Sequence, residues 1–173
     1  MPIGSTRYPV AVIFERTVLA NRWVSERWEA VAALPTDNDE VSAPALVDDV
    51  PPRTRWRFEG CALELHRSEA DGYFLNISSA EPKVFVMWRR REDSCEDDSV
   101  PSVRPQALTV SYNEAARLMD GGEQVDAVPM PPQILEWMTP FVAEHYKGEP
   151  RRKVKRNDPF ADEHESGHRR RIR

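Results

Sequence analysis

Glycine is scarce in this chain, with seven in 173 residues against fifteen prolines. No glycine-rich loop follows a strand, so neither a phosphate-cradling loop nor a dinucleotide fingerprint can be formed. No Gly-x-Ser-x-Gly elbow is present, which removes the common hydrolase signature. Cysteine is limited to Cys61 and Cys95, 34 residues apart, with no Cys-x-x-Cys. Two such residues make neither a disulfide framework nor a zinc site. Cys95 lies in Glu92-Asp93-Ser94-Cys95-Glu96-Asp97-Asp98, where acidic neighbours make a thiol a poor nucleophile. Both cysteines read as free thiols in a reducing compartment. No apolar run approaches the ~18 residues of a membrane span, and Met1 to Pro9 has no apolar core of signal-peptide length. The expectation is a cytoplasmic protein with no membrane span.

Charge is unevenly placed. Lys147 to Arg173 holds ten Lys/Arg against five Asp/Glu, while the whole chain is −5, which leaves residues 1–146 near −10. Val154, Phe160 and Ile172 are the only large apolar residues of that segment. So little burial cannot offset chain entropy, so a basic disordered tail is expected at 147–173. Residues 1–146 suffice for one domain burying about 68–70% of its unfolded surface.

Periodicity in the body favours strands. Val10, Val12 and Phe14 share one face of a segment from Tyr8 to Val18. Trp23 to Leu34 reads as a second strand ending at Pro35, with a short helix as its rival. Residues 36–53 read as a loop. Arg55 to His66 is β again, with its apolar parity shifting at Gly60, as a bulge would require. Asp71-Gly72 reads as a turn, and Tyr73, Leu75 and Ile77 as a strand. Lys83 to Arg89 is apolar on both faces and should be central. After a loop at 90–105, Leu108, Val110 and Tyr112 alternate, and Asn113 would cap a helix from Glu114 to Met119, ended by Gly121-Gly122. Val125 to Met130 is a last strand. Pro131-Pro132 open a final helix whose apolar face is Ile134, Leu135, Met138, Phe141 and Val142, with Pro140 inside it. The expected class is α+β, mostly antiparallel β. Six or seven strands would form a curled sheet or small barrel closed by the C-terminal amphipathic helix, the element order of pleckstrin-homology domains.

Candidate chemistry is thin. His164 and His168 have metal-ligand spacing on a helix, but they lie in the basic tail and read as a solvated charge run. His66 and His145 read as structural, and Glu15 and Glu64 are the carboxylates best placed on strands to face a pocket. No catalytic residue, cofactor or metal ligand is assigned. Trp23, Trp28, Trp56 and Trp88 read as core, carried in register with other apolar residues. Trp137, about 100° from Met138 around the helix, sits at the rim of the apolar stripe and should be partly exposed. The candidate partner-binding residues are therefore Trp137 and the basic run Arg151, Arg152, Lys153, Lys155 and Arg156. Nucleic acid is disfavoured by the acidic body and by the lack of stacking aromatics beside the basic run. An anionic membrane is disfavoured for the tail, which has no amphipathic or acylation signal.

Two stretches carry a resemblance. Tyr8-Pro-Val-Ala-Val-Ile-Phe-Glu-Arg with the Trp23 to Leu34 segment, and Val125-Asp-Ala-Val-Pro-Met-Pro-Pro-Gln-Ile-Leu-Glu-Trp-Met-Thr-Pro-Phe-Val-Ala-Glu-His145 before a Lys/Arg-rich tail, resemble an uncharacterised bacterial family. It is a domain of unknown function commonly encoded beside molybdenum- or tungsten-dependent formate dehydrogenase. The resemblance implies a non-enzymatic accessory or assembly factor with a protein client, formate dehydrogenase or one of its maturation proteins. It carries over no site residues. A generic regulatory binding module and a small enzyme with an unrecognised pocket are the alternatives.

The composition of the tail sets a first test. Deleting residues 150–173 should leave the melting temperature within about 2 °C, since surface segments contribute little to stability. A larger fall in a thermal melt would show that the tail packs on the body.

Overall fold

The computed structural model describes residues 5–92 and 100–148. It has seven strands and three α-helices among those residues. β1 (Arg7–Val18), β2 (Glu26–Pro35), β3 (Ala45–Val50) and β4 (Arg53–Glu64) form an antiparallel sheet in the order β2-β1-β4-β3. β5 (Lys83–Arg90), β6 (Val103–Thr109) and β7 (Gln124–Pro129) form a second, in the order β6-β5-β7. The architecture is mostly antiparallel β, but the expected single curled sheet or closed barrel is not formed. The two sheets meet where β2 lies against β7 and β4 against β6, with no ladder joining them.

A side chain bridges the first of these seams. The Asp126 carboxylate on β7 accepts from the Ala30 amide on β2 at 2.8 Å and from the Trp88 indole on β5 at 2.7 Å. It satisfies an edge amide that would otherwise have no strand partner. Between the sheets, Val10, Val12 and Phe14 of β1 meet Val84, Val86 and Trp88 of β5, all buried. Phe14 and Trp88 pack edge-on at 5.8 Å, a favoured aromatic geometry. The alternation read from the sequence therefore gives the inner face correctly, and β5 is central as expected. Gly60 is a bulge: the β1–β4 register shifts between Val10 and Val12, and Gly60 has φ +77°. A Cβ there would lie 2.6 Å from Val41 Cα, so the chain from β2 to β3 crosses β4 where only glycine leaves room.

Several expectations fail for identifiable reasons. Asp71-Gly72 is not a turn and Tyr73 to Ile77 is not a strand; they lie in α1 (Ala70–Ile77). The buried positions are Ala70, Gly72, Tyr73 and Asn76, of which Ala70, Tyr73 and Asn76 follow a three-residue spacing, and Leu75 is exposed. Asn76 looks like a strand-breaking polar residue in sequence. Its amide instead donates to the carbonyls of Lys83 and Val110, both at 2.7 Å, and its Oδ1 accepts from the Lys83 amide at 2.9 Å. Such full satisfaction makes a buried amide an anchor. The supposed loop at 36–53 contains β3, and the one at 90–105 contains the start of β6. α2 (Tyr112–Asp120) begins earlier than expected, and its cap is Ser111, whose Oγ accepts from the Glu114 amide at 3.1 Å. Trp23 is not core: it is 85% exposed, in the turn between β1 and β2.

α3 (Pro132–His145) matches its sequence reading, including the opening proline. Ile134, Met138 and Val142 are buried, while Leu135 and Phe141 are only partly so. No helix among the described residues is long and apolar enough to cross a membrane. Residues from 149 onward, with His164 and His168, lie outside the described residues, as does Cys95. Cys61 is a free, half-buried thiol pushed up to about 11 by burial and then by Glu59, so it is protonated near neutrality.

The contact between α1 and α2 sets the second test. A Cβ on Gly72 would fall 2.1 Å from Ser111 Oγ, the group that caps α2 and donates to Glu69 at 2.6 Å. Gly72→Ala should lower stability by roughly 1–3 kcal/mol through overpacking and loss of the cap. Chemical denaturation showing no loss would mean that α1 and α2 separate freely.

Candidate binding cleft

α3 carries two stripes. The first, Ile134, Met138 and Val142, is driven into the core at four-residue spacing. The second is displaced by one position along the chain: Gln133, Trp137, Phe141 and His145, a face that a helix brings into line. This second stripe forms one wall of a cleft of about 1180 Å³. Ser5, Thr6 and Tyr8 at the start of β1, and Leu65 to Ser68 just after β4, form the opposite wall.

The aromatic floor is fixed in place. The Trp137 indole donates to the Ser5 carbonyl at 2.7 Å and packs against Tyr8 at 5.1 Å. Phe141 meets Tyr73 edge-on at 6.1 Å and His145 at 4.4 Å. The far wall is held by two bonds: the Leu65 amide donates to the Thr6 carbonyl at 2.8 Å, and the His66 amide donates to the Tyr73 hydroxyl at 3.0 Å. Trp137 is partly exposed, as its place at the edge of the apolar stripe implied. Its only hydrogen-bond donor is already used, so it offers a ring face rather than a polar contact.

The rim is mixed in charge. Glu136 and Glu144 on α3 are exposed, and Arg67 and His66 stand across from them. The Tyr8 phenol is pushed up by burial first and then by Asp37 and Glu136, so it stays neutral and can donate. His66 and His145 each have a carboxylate within two residues in the chain, Glu64 and Glu144, at 3.8 Å, beyond a hydrogen bond. No group of three His, Cys, Asp or Glu suited to a metal occurs among the described residues. The arrangement offers stacking faces with charged rims and no buried acid–base pair.

Of the residues singled out from the sequence, Trp137 lines the cleft and anchors it. Arg151, Arg152, Lys153, Lys155 and Arg156 lie outside the described residues. Glu15 is buried away from the cleft, accepting from Arg55 at 2.6 Å. Glu64 is exposed beside Arg7 at 3.6 Å, and it does not line the cleft. His66 and His145, taken separately from the sequence, converge on this one cavity. Tyr8 and Phe141 were read only as β-face and helix-face positions. The signal that sequence reasoning lacked was a pairing between the first strand and the last helix, which no local pattern carries.

A model of a family described as protein of unknown function (DUF3305) matches residues 9–155, and the chain belongs to that family. The comparisons with curated proteins and with solved structures give no match.

Tyr73 supplies the third test. Its hydroxyl is fully buried and its pKa is raised to about 12, chiefly by burial. The folded state therefore holds this proton after the unfolded chain has lost it. That contribution is full below about 10, the ordinary tyrosine value, and falls as pH rises toward 12. Tyr73→Phe should flatten this part of the alkaline fall in stability. It should also cost about 1 kcal/mol near neutrality, because the His66 amide loses its acceptor. Denaturation midpoints at neutral and alkaline pH check both. An unchanged alkaline slope would assign the fall to other groups.

Proposed function

We propose that this protein is a non-enzymatic accessory factor that docks a protein client in the cleft beside α3. One observation carries the reading: a preformed cavity of about 1180 Å³ whose floor presents Tyr8, Trp137 and Phe141. Aromatic rings held rigid before binding are what protein interfaces use as anchors. The complementary client segment is apolar, with a Lys or Arg to face Glu136 and Glu144 across the rim. The carboxyl end of α3 adds partial negative charge on the same side.

The choice of client rests on the resemblance of residues 8–34 and 125–145 to a family encoded beside formate dehydrogenase. The family match itself carries no such link. A molybdenum- or tungsten-dependent formate dehydrogenase, or one of its maturation proteins, is thus the first client to test. The basic run at 151–156 would steer the encounter, since clustered charge raises association rates.

The test is a tagged pull-down from the native host with Glu136→Lys/Glu144→Lys as the variant. Both side chains are exposed, so its melting temperature should match wild type while capture of the dehydrogenase component is lost. Raising salt should also weaken capture, because exposed charges are screened beyond roughly 10 Å at 0.1 M. Normal formate dehydrogenase activity in a strain lacking the protein, with no dehydrogenase component in the pull-down, would reject this client.

A further inference from the structure

The chain leaves the folded body at the edge of the cleft. Tyr146 follows α3 directly, and its amide donates to the Val142 carbonyl at 2.8 Å. Its ring stacks flat on Phe74 at 3.9 Å. The exit is thus pinned one residue beyond His145, which lines the cleft. Lys147-Gly148-Glu149-Pro150 comes next, and glycine and proline so placed favour a reversal of direction. After it stand the basic run at 151–156 and then Asp158-Pro159-Phe160-Ala161-Asp162.

The cleft presents charge in the matching order. Glu136 and Glu144 are exposed along α3, the aromatic floor lies between the walls, and Arg67 is exposed on the far side. Neither Glu136 nor Arg67 has an ion pair among the described residues. The acids near Arg67 in the chain are engaged: Glu69 by Arg117 at 2.5 Å and by Ser111 Oγ at 2.6 Å, and Glu64 beside Arg7 and His66. We propose that residues 151–162 of this chain fold back across the cleft, the basic run along Glu144 and Glu136, Phe160 against the floor beside Trp137 and Phe141, and Asp158 and Asp162 facing Arg67.

Length permits this path. Glu136 and Glu144 are separated by about 12 Å along the helix axis, and an extended chain from Arg151 to Arg156 covers about 17 Å. Phe160 lies twelve residues beyond Gly148, within a reach of about 40 Å. Tethering also favours this occupant over the same segment of a second copy, because a short linker holds it at roughly millimolar effective concentration. Ion pairs between exposed side chains are weak, so occupancy is partial. Removing the tail then changes the melting temperature little, and the basic run is free for part of the time to meet a client. A client must displace the segment, which makes the tail a competitor for its own cleft. The inference rests on reading the cleft as a docking site, whichever client it takes.

The test is carbodiimide crosslinking of the full chain at low protein concentration, with products mapped by mass spectrometry. The reagent joins an amine to a carboxylate where the two meet. Lys153 or Lys155 should join Glu136 or Glu144 within monomers, about threefold or more above joining to Asp48 or Asp120, which are exposed elsewhere. Salt at about 0.5 M should suppress these products. Phe160→Ser should reduce them about threefold. That variant leaves both reacting groups in place, so it separates docking from mere nearness. Three results would overturn the proposal: crosslinks spread evenly over exposed carboxylates, yields that ignore Phe160→Ser, or products found only between two copies. No client enters the measurement, so its outcome is independent of the pull-down.

Discussion

Two sheets that do not close must still share one core, and the Asp126 carboxylate is the interaction on which that arrangement depends. It accepts from β2 and from the Trp88 indole together, so one side chain fixes both an edge strand and a core aromatic. A continuous ladder would have satisfied the Ala30 amide with a carbonyl and left no need for a carboxylate. With the seam opened, the same amide requires an acceptor that can reach across it. An acceptor with charge gives a stronger bond than a neutral one in a partly buried place. Losing it would strand two donors at once, and an unmade buried bond costs more than a made one contributes.

The open architecture also explains how α3 divides its work. A closed barrel would need a helix only as a plug. Here one stripe of α3 fills the core and the adjacent stripe stays partly exposed, with Trp137 tied to Ser5 at the first described residue of the chain. The cleft is thus made by the two ends of the folded body meeting. Tyr73 contributes from beneath: its ring supports Phe141, and its hydroxyl holds the wall that bears His66. Rigidity in this place comes from bonds to the Ser5 and Thr6 carbonyls and to the Tyr73 hydroxyl, which leaves the rim charges free for a partner.

What the sequence disclosed follows from what local patterns encode. Alternation over β1 and on β5 was long and strongly apolar, and the proline-opened stripe of α3 was unambiguous, so their faces could be read directly. Gly60 announced its bulge by a shift of parity. α1 was misread because Tyr73, Leu75 and Ile77 alternate by accident. The residues that matter there are Tyr73 and Asn76, and the value of Asn76 depends on carbonyls from Lys83 on β5 and from Val110 just after β6. β3 was missed because all six of its residues are exposed, so burial left no period to read. Trp23 was read as core because it was placed in register on a strand from Trp23 to Leu34, whereas β2 begins only at Glu26 and leaves Trp23 in the exposed turn before it. The cleft was half legible: Trp137 was found from its angle on the helix, whereas Tyr8, His66 and His145 meet it only through long-range packing.

The cleft and the β1–β2 turn stand in a fixed relation. β1 begins at the cleft, where Tyr8 packs on Trp137, and ends at that turn, where Val18 bonds to Pro52. β4 runs the reverse course, from Arg53 beside the turn to Leu65 at the cleft. A strand rises about 3.3 Å per residue, so the twelve residues of β1 hold the two some tens of ångströms apart. Hydrogen-bonded strands on both sides of β1 keep that distance from varying. A client seated against α3 and any contact made at the β1–β2 turn would therefore not compete for space. The chain between them would act as a spacer whose length is set by the sheet, not by a linker.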